Sequence, residues 1–437
     1  MSKSKVKVIQ ELHQFLKLVM NEQDVLKRFT FSPGDFTRTR KLPLESVALF
    51  ISKLCKKTLS VELENFFHEM GLDEPCTASA FTQQRKKLQA KFFQSWNDLL
   101  VLSYNYHCSS EIKRWKGYRI IAVDGSNVSL VNTPSLQGYF GGQSNQQCFF
   151  VQAKTLYCYD VLNELVLSGQ ISPYRIGELN LTYHLIKNFE RDMLLIYDRN
   201  FFNYKMLALH LWKKEENKFI IRAKEKDRVV QAFIKSKKVS EVVELYPAPS
   251  AIAGLVKEGI AITADKAIKV RLVRVELEKT IEVLATNLWN EPSKNFKELY
   301  NKRWGIETNI RVQKNILQLE CFSGMTVQTI HQDFFATIFL ANLHSILIKD
   351  AQEKLNKSST ERKYPIKVNK NKSQGKLRSV LAQLFWSTEP GVVLDQLTNY
   401  FIRDPVPIRK GRSYPRIVKN KQSKSKHKTY MNYKLAA

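Results

Sequence analysis

Two short apolar runs in the middle of the chain each lead directly into an aspartate. Residues 120–123 precede Asp124, and residues 193–197 precede Asp198. Runs of this length and composition are typical of buried strands. Because α/β sheets place their chemistry at strand ends, the two carboxylates are candidates for a functional site. Taken singly, an aspartate after a strand more often only caps the next turn, and Asp124 is followed by a glycine as in a turn.

The segments around these runs predict helices packed on a mixed sheet, which is an α/β fold. Residues 155–172 are rich in β-branched and aromatic side chains and predict a hairpin with a turn near Asn163, followed by a helix from Glu178. Several further strand candidates lie between about residues 216 and 288. Residues 1 to about 110 repeat apolar side chains at helical spacing and predict a helical region.

The chain carries a large excess of positive charge. Its 437 residues include 69 Lys and Arg against 41 Asp and Glu, a formal charge of +28. This excess indicates a polyanionic partner, either nucleic acid or an anionic membrane surface. No stretch reaches the roughly 18 uninterrupted apolar residues of a spanning helix, and no signal-peptide cleavage site is evident, so nucleic acid is favoured. From Arg403 onward, eleven basic residues accompany one acid, which predicts a flexible basic tail.

Two other classes of site are disfavoured. The six cysteines are scattered, with no Cys-x-x-Cys pair and no Cys/His cluster at zinc spacing, so we expect reduced thiols in a cytosolic protein. The glycine-rich segment 138–146 lacks the Lys-Ser/Thr of a phosphate-binding loop and is interpreted as a connector.

A pair of N-terminal helix candidates suggests a helix-turn-helix. One helix covers about residues 60–70 and the other follows Thr77. The second carries side chains of the types that contact DNA grooves and phosphates, namely Gln83, Gln84, Arg85, Lys86 and Lys87. The same side chains also fit a solvated basic face on an ordinary bundle helix, and the sequence leaves both interpretations open.

The strongest helix signal begins near Ser293. Within it, Tyr300, Arg303, Glu307 and Lys314 are spaced by 3, 4 and 7 residues, which predicts one polar helix face. An exposed face with an Arg–Glu pair would account for the charges. It would not account for the tyrosine and the neighbouring tryptophan on the same face.

Together, the two strand-end aspartates and Glu307 predict a set of three carboxylates. Three carboxylates held close together repel one another, and their pKa values would rise without a counter-charge. Two Mg²⁺ ions would supply that charge, and a pair of such ions can cleave a phosphodiester. Arg303 and Lys314 would then hold phosphates. The residues therefore predict metal-assisted phosphoryl transfer on DNA.

At this point the sequence resembles the bacterial insertion-sequence DDE transposases that carry a Y-(2)-R-(3)-E-(6)-K signature. The signature reads YNKRWGIETNIRVQK here, with the two acidic motifs AVDGSNVSL and YDRNFF before it. A long β-rich stretch separates the second motif from the glutamate, as in that family. The segments TRTRKLPLESVALFI and SAFTQQRKKL look like the family's DNA-binding region.

The resemblance implies a ribonuclease-H-like catalytic domain over residues 116–350 with a β-rich insertion at about 216–288. It also implies an N-terminal helical DNA-binding domain, 1–115, and a helical C-terminal region with the basic tail, 351–437. The acidic triad would hold two Mg²⁺ ions, for which Mn²⁺ may substitute. The DNA contacts implied or inferred are Tyr300, Arg303, Lys314, Arg199, Gln84, Arg85, Lys86 and Lys87.

The resemblance further implies the partners. They are double-stranded DNA with terminal inverted repeats, target DNA, and a second copy in a synaptic homodimer, without a membrane, in the bacterial cytoplasm at the nucleoid. Cleavage would proceed through hairpin ends and strand transfer. The family often has an aromatic residue in the β-rich insertion that stacks on a displaced base, and Trp289 and Trp304 are the candidates for it here.

The sequence departs from the family at one point and leaves two other functions open. Asn200 stands where the second acidic motif often has glycine, and asparagine tolerates the same backbone angles. One alternative is a related metal-dependent nuclease or resolvase without strand transfer. The other is an inactive transposase-derived repressor that binds the repeats without cutting, against which the intact triad argues.

Overall fold

The protein is described by a computed structural model that covers residues 3–38, 40–54, 56–72, 74–146, 148–213, 216–278, 280–358 and 362–409. Most of the predicted basic tail, residues 410–437, lies outside the described residues. The α-helices in the described chain are α1 (Lys3–Asn21), α2 (Gln23–Leu26), α3 (Leu44–Ser52), α4 (Leu59–Glu69), α5 (Ala78–Arg85), α6 (Lys91–His107), α7 (Pro134–Phe140), α8 (Glu178–Ile186), α9 (Tyr204–Leu211), α10 (Arg228–Ser236), α11 (Pro249–Val256), α12 (Phe296–Asn301), α13 (Trp304–Arg311), α14 (Val327–Lys357), α15 (Lys370–Ser379), α16 (Leu381–Trp386) and α17 (Pro390–Phe401).

The strands alternate with helices in the middle of the chain, as predicted for an α/β fold. The strands among the described residues are β1 (Arg119–Ser129), β2 (Gly142–Ser144), β3 (Phe149–Asp160), β4 (Leu165–Pro173), β5 (Met193–Tyr197), β6 (Lys218–Arg222), β7 (Ser240–Leu245), β8 (Ile268–Glu276), β9 (Ile281–Thr286), β10 (Ile366–Lys367) and β11 (Val406–Pro407). The predicted hairpin is β3 and β4, which pair.

The chain divides into two compact units. Among the described residues, the helical unit comprises those within 1–112, 128–153 and 311–437, and the sheet unit comprises those within 113–127 and 154–310. The division passes through strands β1 and β3. Residues 311–350 belong to the same compact unit as the N-terminal helices, whereas the sequence analysis assigns them to the catalytic domain. The division of the chain into functional domains remains a prediction.

The main sheet is mixed. Its strand order is β2-β3-β1-β5-β6-β9-β8-β7, with β4 paired to β3. Strands β1, β5 and β6 are parallel, and β9, β8 and β7 continue the sheet in antiparallel pairs. The strands predicted between residues 216 and 288 all exist. They extend the same sheet, because β9 pairs directly with β6.

Both faces of the parallel strands are buried in the sheet unit. Alternate residues of β1 and β5, such as Ile121 and Leu195, pack in one apolar cluster with helices α8 to α11. Their neighbours Ile120 and Leu194 pack in a second cluster with helix α12. Successive side chains of a strand point to opposite faces of the sheet, and both faces are covered here by an apolar cluster. Every residue of these strand segments is therefore apolar.

The single helix predicted from Ser293 is interrupted, so the prediction of one continuous face is wrong. Helix α12 ends at Asn301 and α13 begins at Trp304, because the intervening residues use tighter i→i−3 bonds such as Arg303 N to Tyr300 O, 3.0 Å. After α13, residues Val312–Ile316 form one π-helical turn. Each of these changes rotates the residues beyond it around the helix axis.

In the helical unit, the residues predicted as one helix after Thr77 form two helices. The break follows Arg85, where Leu88 makes a bridge with Thr30 and Gln89 N donates to Phe29 O over 2.8 Å. These bonds hold the segment that connects α5 and α6 against the residues that follow α2. The helix therefore stops before Lys86 and Lys87.

Helix α14 is the core helix of the helical unit. It has 31 residues and is long and apolar enough to cross a membrane, but 78% of its most apolar stretch is buried inside the protein. Trp96 of α6 stacks on Phe339 of α14 with ring centroids 4.0 Å apart. Packing inside the helical unit therefore explains the apolar composition of α14.

Candidate functional site

Strand register brings Asp124 and Asp198 to one edge of the sheet. The last registered pair of β1 and β5 is Val123 and Tyr197, and each aspartate comes next in its chain. Neighbouring strands lie about 4.8 Å apart. Asp124 does not end its strand as expected, since β1 continues to Ser129 beyond its pairing with β5.

Each aspartate also caps the backbone that follows it. Asp198 Oδ1 accepts from Asn200 N over 2.8 Å, and Asp124 Oδ1 accepts from Gly125 N over 2.9 Å. The capping interpretation and the functional one are therefore compatible. Among the described residues, the second oxygen of each carboxylate makes no hydrogen bond or ion pair.

The carboxyl group of Asp124 has a strongly perturbed pKa. Burial raises the pKa of Asp124 to about 7; the Gly125 N–H lowers the pKa, Asp198 raises it, Arg303 lowers it and Glu178 raises it. The surroundings of Asp124 therefore favour its neutral, protonated form. A buried, strongly shifted carboxyl beside like charges is typical of functional sites.

Glu178 is a fourth carboxylate that the sequence analysis did not assign to the site. A Cβ added to Gly125 would lie 2.5 Å from Glu178 Cγ, so the glycine permits the close approach. Lys154 Nζ lies 3.4 Å from Glu178 Oε1 and donates to Asn127 Oδ1 over 2.6 Å. In the sequence, this contact was indicated only by the predicted helix start at Glu178 and by the glycine after Asp124.

Glu307 is held by an arginine. Arg303 lies 2.8 Å from Glu307 Oε1, as the four-residue spacing predicts. The guanidinium also lies over the rings of Tyr300 and Trp304, 5.7 and 5.2 Å from their centroids. Arg303 is only 9% exposed, and its Nε is buried without a partner in the described chain.

Tyr300 lies in the core of the sheet unit. It is 5% exposed and packs with Ile120 and Leu194. Burial raises the pKa of Tyr300 to about 12, and the Arg303 charge lowers it. In this state the side chain supports Arg303 and is not available to a phosphate at the surface.

Three other predicted residues of the sheet unit, two tryptophans and one arginine, are accessible. Trp304 and Trp289 are 58% and 40% exposed. Arg199 is exposed at the start of the short 3₁₀ turn capped by Asp198. These three side chains can reach a ligand in solution.

Lys314 belongs to the helical unit. It lies in the π-helical turn, where Lys314 Nζ is 3.6 Å from Glu320 Oε1. Glu320 Oε1 also accepts from Ser129 N over 2.9 Å. The phosphate contact predicted for Lys314 remains a prediction.

The structure corrects the prediction that Arg85 contacts DNA. It is buried, and its guanidinium donates to Asp333 Oδ1 and Gln332 Oε1 of α14, each over 2.7 Å, and to Ser323 Oγ over 2.6 Å. The predicted DNA contact is wrong for this residue, because its donors are used inside the unit.

The other members of the predicted basic face are divided. Gln84 is also buried and not on an exposed helix face, Gln83 and Lys86 are exposed, and Lys87 is half-buried. The exposed and half-buried members remain candidates for DNA contact at the surface of the helical unit.

The glycine-rich segment has a structural explanation. It contains β2, which pairs antiparallel with β3. A Cβ on Gly142 would lie 1.9 Å from Phe150 O, so the strand pairing requires glycine there.

The donors fit a hard divalent cation in part. In the described chain, no three His, Cys, Asp or Glu side chains are grouped closely enough to hold a metal ion. Asp124 and Asp198 are nevertheless hard oxygen donors with an unpaired oxygen each, and a cation would offset the repulsion between them. Glu307 is not grouped with the two aspartates closely enough to complete a metal site, and its Oε1 is paired with Arg303.

The comparison with protein families agrees with the motif analysis. Residues 115–343, more than half of the chain, match the family described as the transposase DDE domain. A search of curated proteins found no match. Among solved structures, the chain is similar to one titled "Cryo-EM structure of piggyBac transposase synaptic complex with hairpin DNA", with a TM-score of 0.45 and 9% identity over 92% of this chain and 88% of that chain.

Proposed function

The chain belongs to the transposase DDE domain family, and we propose that this DNA transposase moves an insertion sequence by cut-and-paste transposition. Metal-dependent strand cleavage would be followed by strand transfer, with Asp124, Asp198 and Glu307 as the catalytic and metal-binding carboxylates. The observation that carries the proposal is the register of β1 and β5, which brings two of these three acids to one edge of the sheet.

The metal would be held by this chain's own carboxylates. Two Mg²⁺ ions, or Mn²⁺ in their place, would activate the attacking hydroxyl and stabilise the leaving oxygen when bound. Asp124 would lose its proton on metal binding, because a ligating carboxylate must be ionised. Arg303 would release Glu307 and turn its guanidinium to a DNA phosphate, which is the bidentate partner that arginine prefers.

The remaining signature residues would orient the DNA. Arg199 and Lys314 would contact phosphates, and Tyr300 would do so once Arg303 moves from its ring. Trp304 is the better candidate for stacking on a displaced base, because it is more exposed than Trp289 and adjoins Arg303.

The substrate proposal follows the group with the Y-(2)-R-(3)-E-(6)-K signature. Its DNA would carry terminal inverted repeats, two ends would be paired by a homodimer, and cleavage would proceed through hairpin ends in the bacterial cytoplasm. Residues 1–115 would bind the ends and 116–350 would form the ribonuclease-H-like catalytic domain. In the C-terminal region, 351–437, the basic tail after Arg403 would add non-specific affinity. The +28 charge supports a polyanionic partner.

The test is a strand-cleavage assay. Full-length protein is mixed with labelled DNA carrying the inverted repeats that flank its own gene, in Mg²⁺, Mn²⁺ or EDTA. We expect metal-dependent nicking at the repeat boundary, lost in Glu307→Gln, followed by a joined product. Cleavage without joining would favour the nuclease alternative, and tight binding without cleavage would favour the repressor.

A further inference from the structure

The helical unit contains a cavity of about 220 Å³ with a mixed lining of cations, an aromatic ring and a carboxamide. Arg38, Arg40 and Lys87 supply the cations. Phe36 supplies the ring, and Gln84 supplies the carboxamide. This combination is the one that single-stranded nucleic acid requires, since its phosphates need cations and its bases need an aromatic platform.

The cations around the cavity are not neutralised by the protein. In the described part of the chain, neither Arg38 nor Arg40 makes an ion pair or a hydrogen bond, and both are exposed. Lys87 Nζ lies 5.9 Å from the Phe36 ring centroid and has no acid partner among these residues. Three like charges around one opening favour an anion between them.

Phe36 is held in an unusual backbone conformation. Its φ is +60°, in the left-handed region that bulky residues rarely adopt. Bonds within the turn maintain it, with Asp35 N donating to Ser32 O and Thr37 Oγ1 to Gly34 O, each over 3.0 Å. Backbone strain of this kind is concentrated at ligand sites, and here it presents a ring to the cavity.

Gln84 supplies an unsatisfied acceptor. The residue is 8% exposed, and its Oε1 is buried without a hydrogen bond in the described chain. A buried acceptor without a partner is costly. Because Gln84 lines the cavity, a rotation of its carboxamide would bring Oε1 to a donor bound there. The exocyclic amino group of a nucleobase is such a donor.

We propose that this cavity binds one unstacked nucleotide of single-stranded DNA. The base stacks on Phe36, and its amino group donates to Gln84 Oε1. The backbone phosphate contacts Arg38, Arg40 and Lys87. The proposal rests on the proposed function only in taking DNA as the polymer, and it requires neither metal nor cleavage.

The test measures binding to labelled oligonucleotides by fluorescence anisotropy in EDTA, with full-length protein. Wild-type is compared with Phe36→Asn, Gln84→Met, Arg40→Ala and the control Lys27→Ala. Asparagine tolerates the left-handed turn, so the loop is retained. Lys27 is an exposed lysine paired with Asp24, and it matches the loss of one charge. Thermal unfolding identifies any variant that does not fold.

We expect Phe36→Asn to weaken binding of oligo(dC) about tenfold, because one base–aromatic stack is lost. Duplex binding should change little, and an oligonucleotide with abasic spacers should bind both proteins equally. Gln84→Met should remove a preference of a few fold for oligo(dC) over oligo(dT), because thymine lacks the amino donor. Arg40→Ala should lower the salt slope by about 0.7.

The proposal is overturned if Phe36→Asn binds oligo(dC) as tightly as Lys27→Ala does, or loses duplex and single-strand affinity alike. Competition by free dCMP as effective as by the oligonucleotide would assign the cavity to a mononucleotide instead. A protein that cleaves repeat DNA but shows no Phe36 effect contradicts this proposal alone. One that binds as expected but never cleaves contradicts only the proposed function.

Discussion

The Arg303 guanidinium lies 2.8 Å from Glu307 Oε1, one helical turn away, and the same charge lowers the pKa of Asp124. One arginine thus balances two of the three acids of the candidate site. Its removal would leave Glu307 without its counter-charge and Asp124 without a nearby cation. Arg303 therefore stabilises the carboxylate set before any metal binds.

Replacing Arg303 with leucine should raise the pKa of Asp124 further above 7, by up to about one unit. The reason is that a neighbouring positive charge favours the ionised carboxylate. Carboxyl NMR titration of the metal-free protein measures the shift, with Lys302→Leu as the control, since Lys302 pairs with Glu298. An unchanged Asp124 titration would show that the arginine does not act on it.

Asp124→Asn should stabilise the metal-free protein at pH 8 but not at pH 4. The folded pKa of about 7 exceeds the unfolded value near 3.9, so folding takes up a proton between these values. The stability contributed by the neutral form is present below pH 4 and is lost as the pH rises through 7. We expect a gain of a few degrees in Tm at pH 8, measured by calorimetry in EDTA. A Tm difference independent of pH would contradict the shift.

Gly125→Ala should destabilise the protein by about 1–3 kcal/mol, because the new methyl group would overlap Glu178. The double variant Gly125→Ala with Glu178→Ala should recover most of this loss. Urea unfolding of the four proteins of the cycle gives the coupling energy. Simple additivity of the two substitutions would rule out the contact.

Arg85→Met should cost about 3–5 kcal/mol of stability, because it leaves the buried Asp333 carboxylate without its charged partner and with only the Ser323 donors. At a temperature where the variant is folded, its salt dependence of DNA binding should equal that of wild-type. Chemical unfolding and salt-dependent anisotropy check the two parts. A reduced salt slope would restore Arg85 to the DNA contacts.

Local patterns predicted the parts of the site that depend on local structure. Continuous apolar runs located β1 and β5, and four-residue spacing predicted the Arg303–Glu307 pair. The contact of Glu178 with Gly125 and the pairing of Arg85 with Asp333 join residues far apart in sequence. The periodic pattern of apolar and polar residues does not show which distant residue will be the partner. The interruptions around Arg303 and Lys314 arise from one tightened turn and one π-helical turn, which a pattern of constant period misses.

The measurement that tests the account most directly is cleavage of inverted-repeat DNA by Asp198→Asn. The substitution removes one charge and retains the oxygen that caps Asn200 N. We predict that metal-dependent cleavage falls by at least about a thousandfold, while binding of the repeats stays within about twofold of wild-type. Cleavage at the wild-type rate, or loss of binding equal to the loss of cleavage, would contradict the assignment of Asp198 to the catalytic carboxylates.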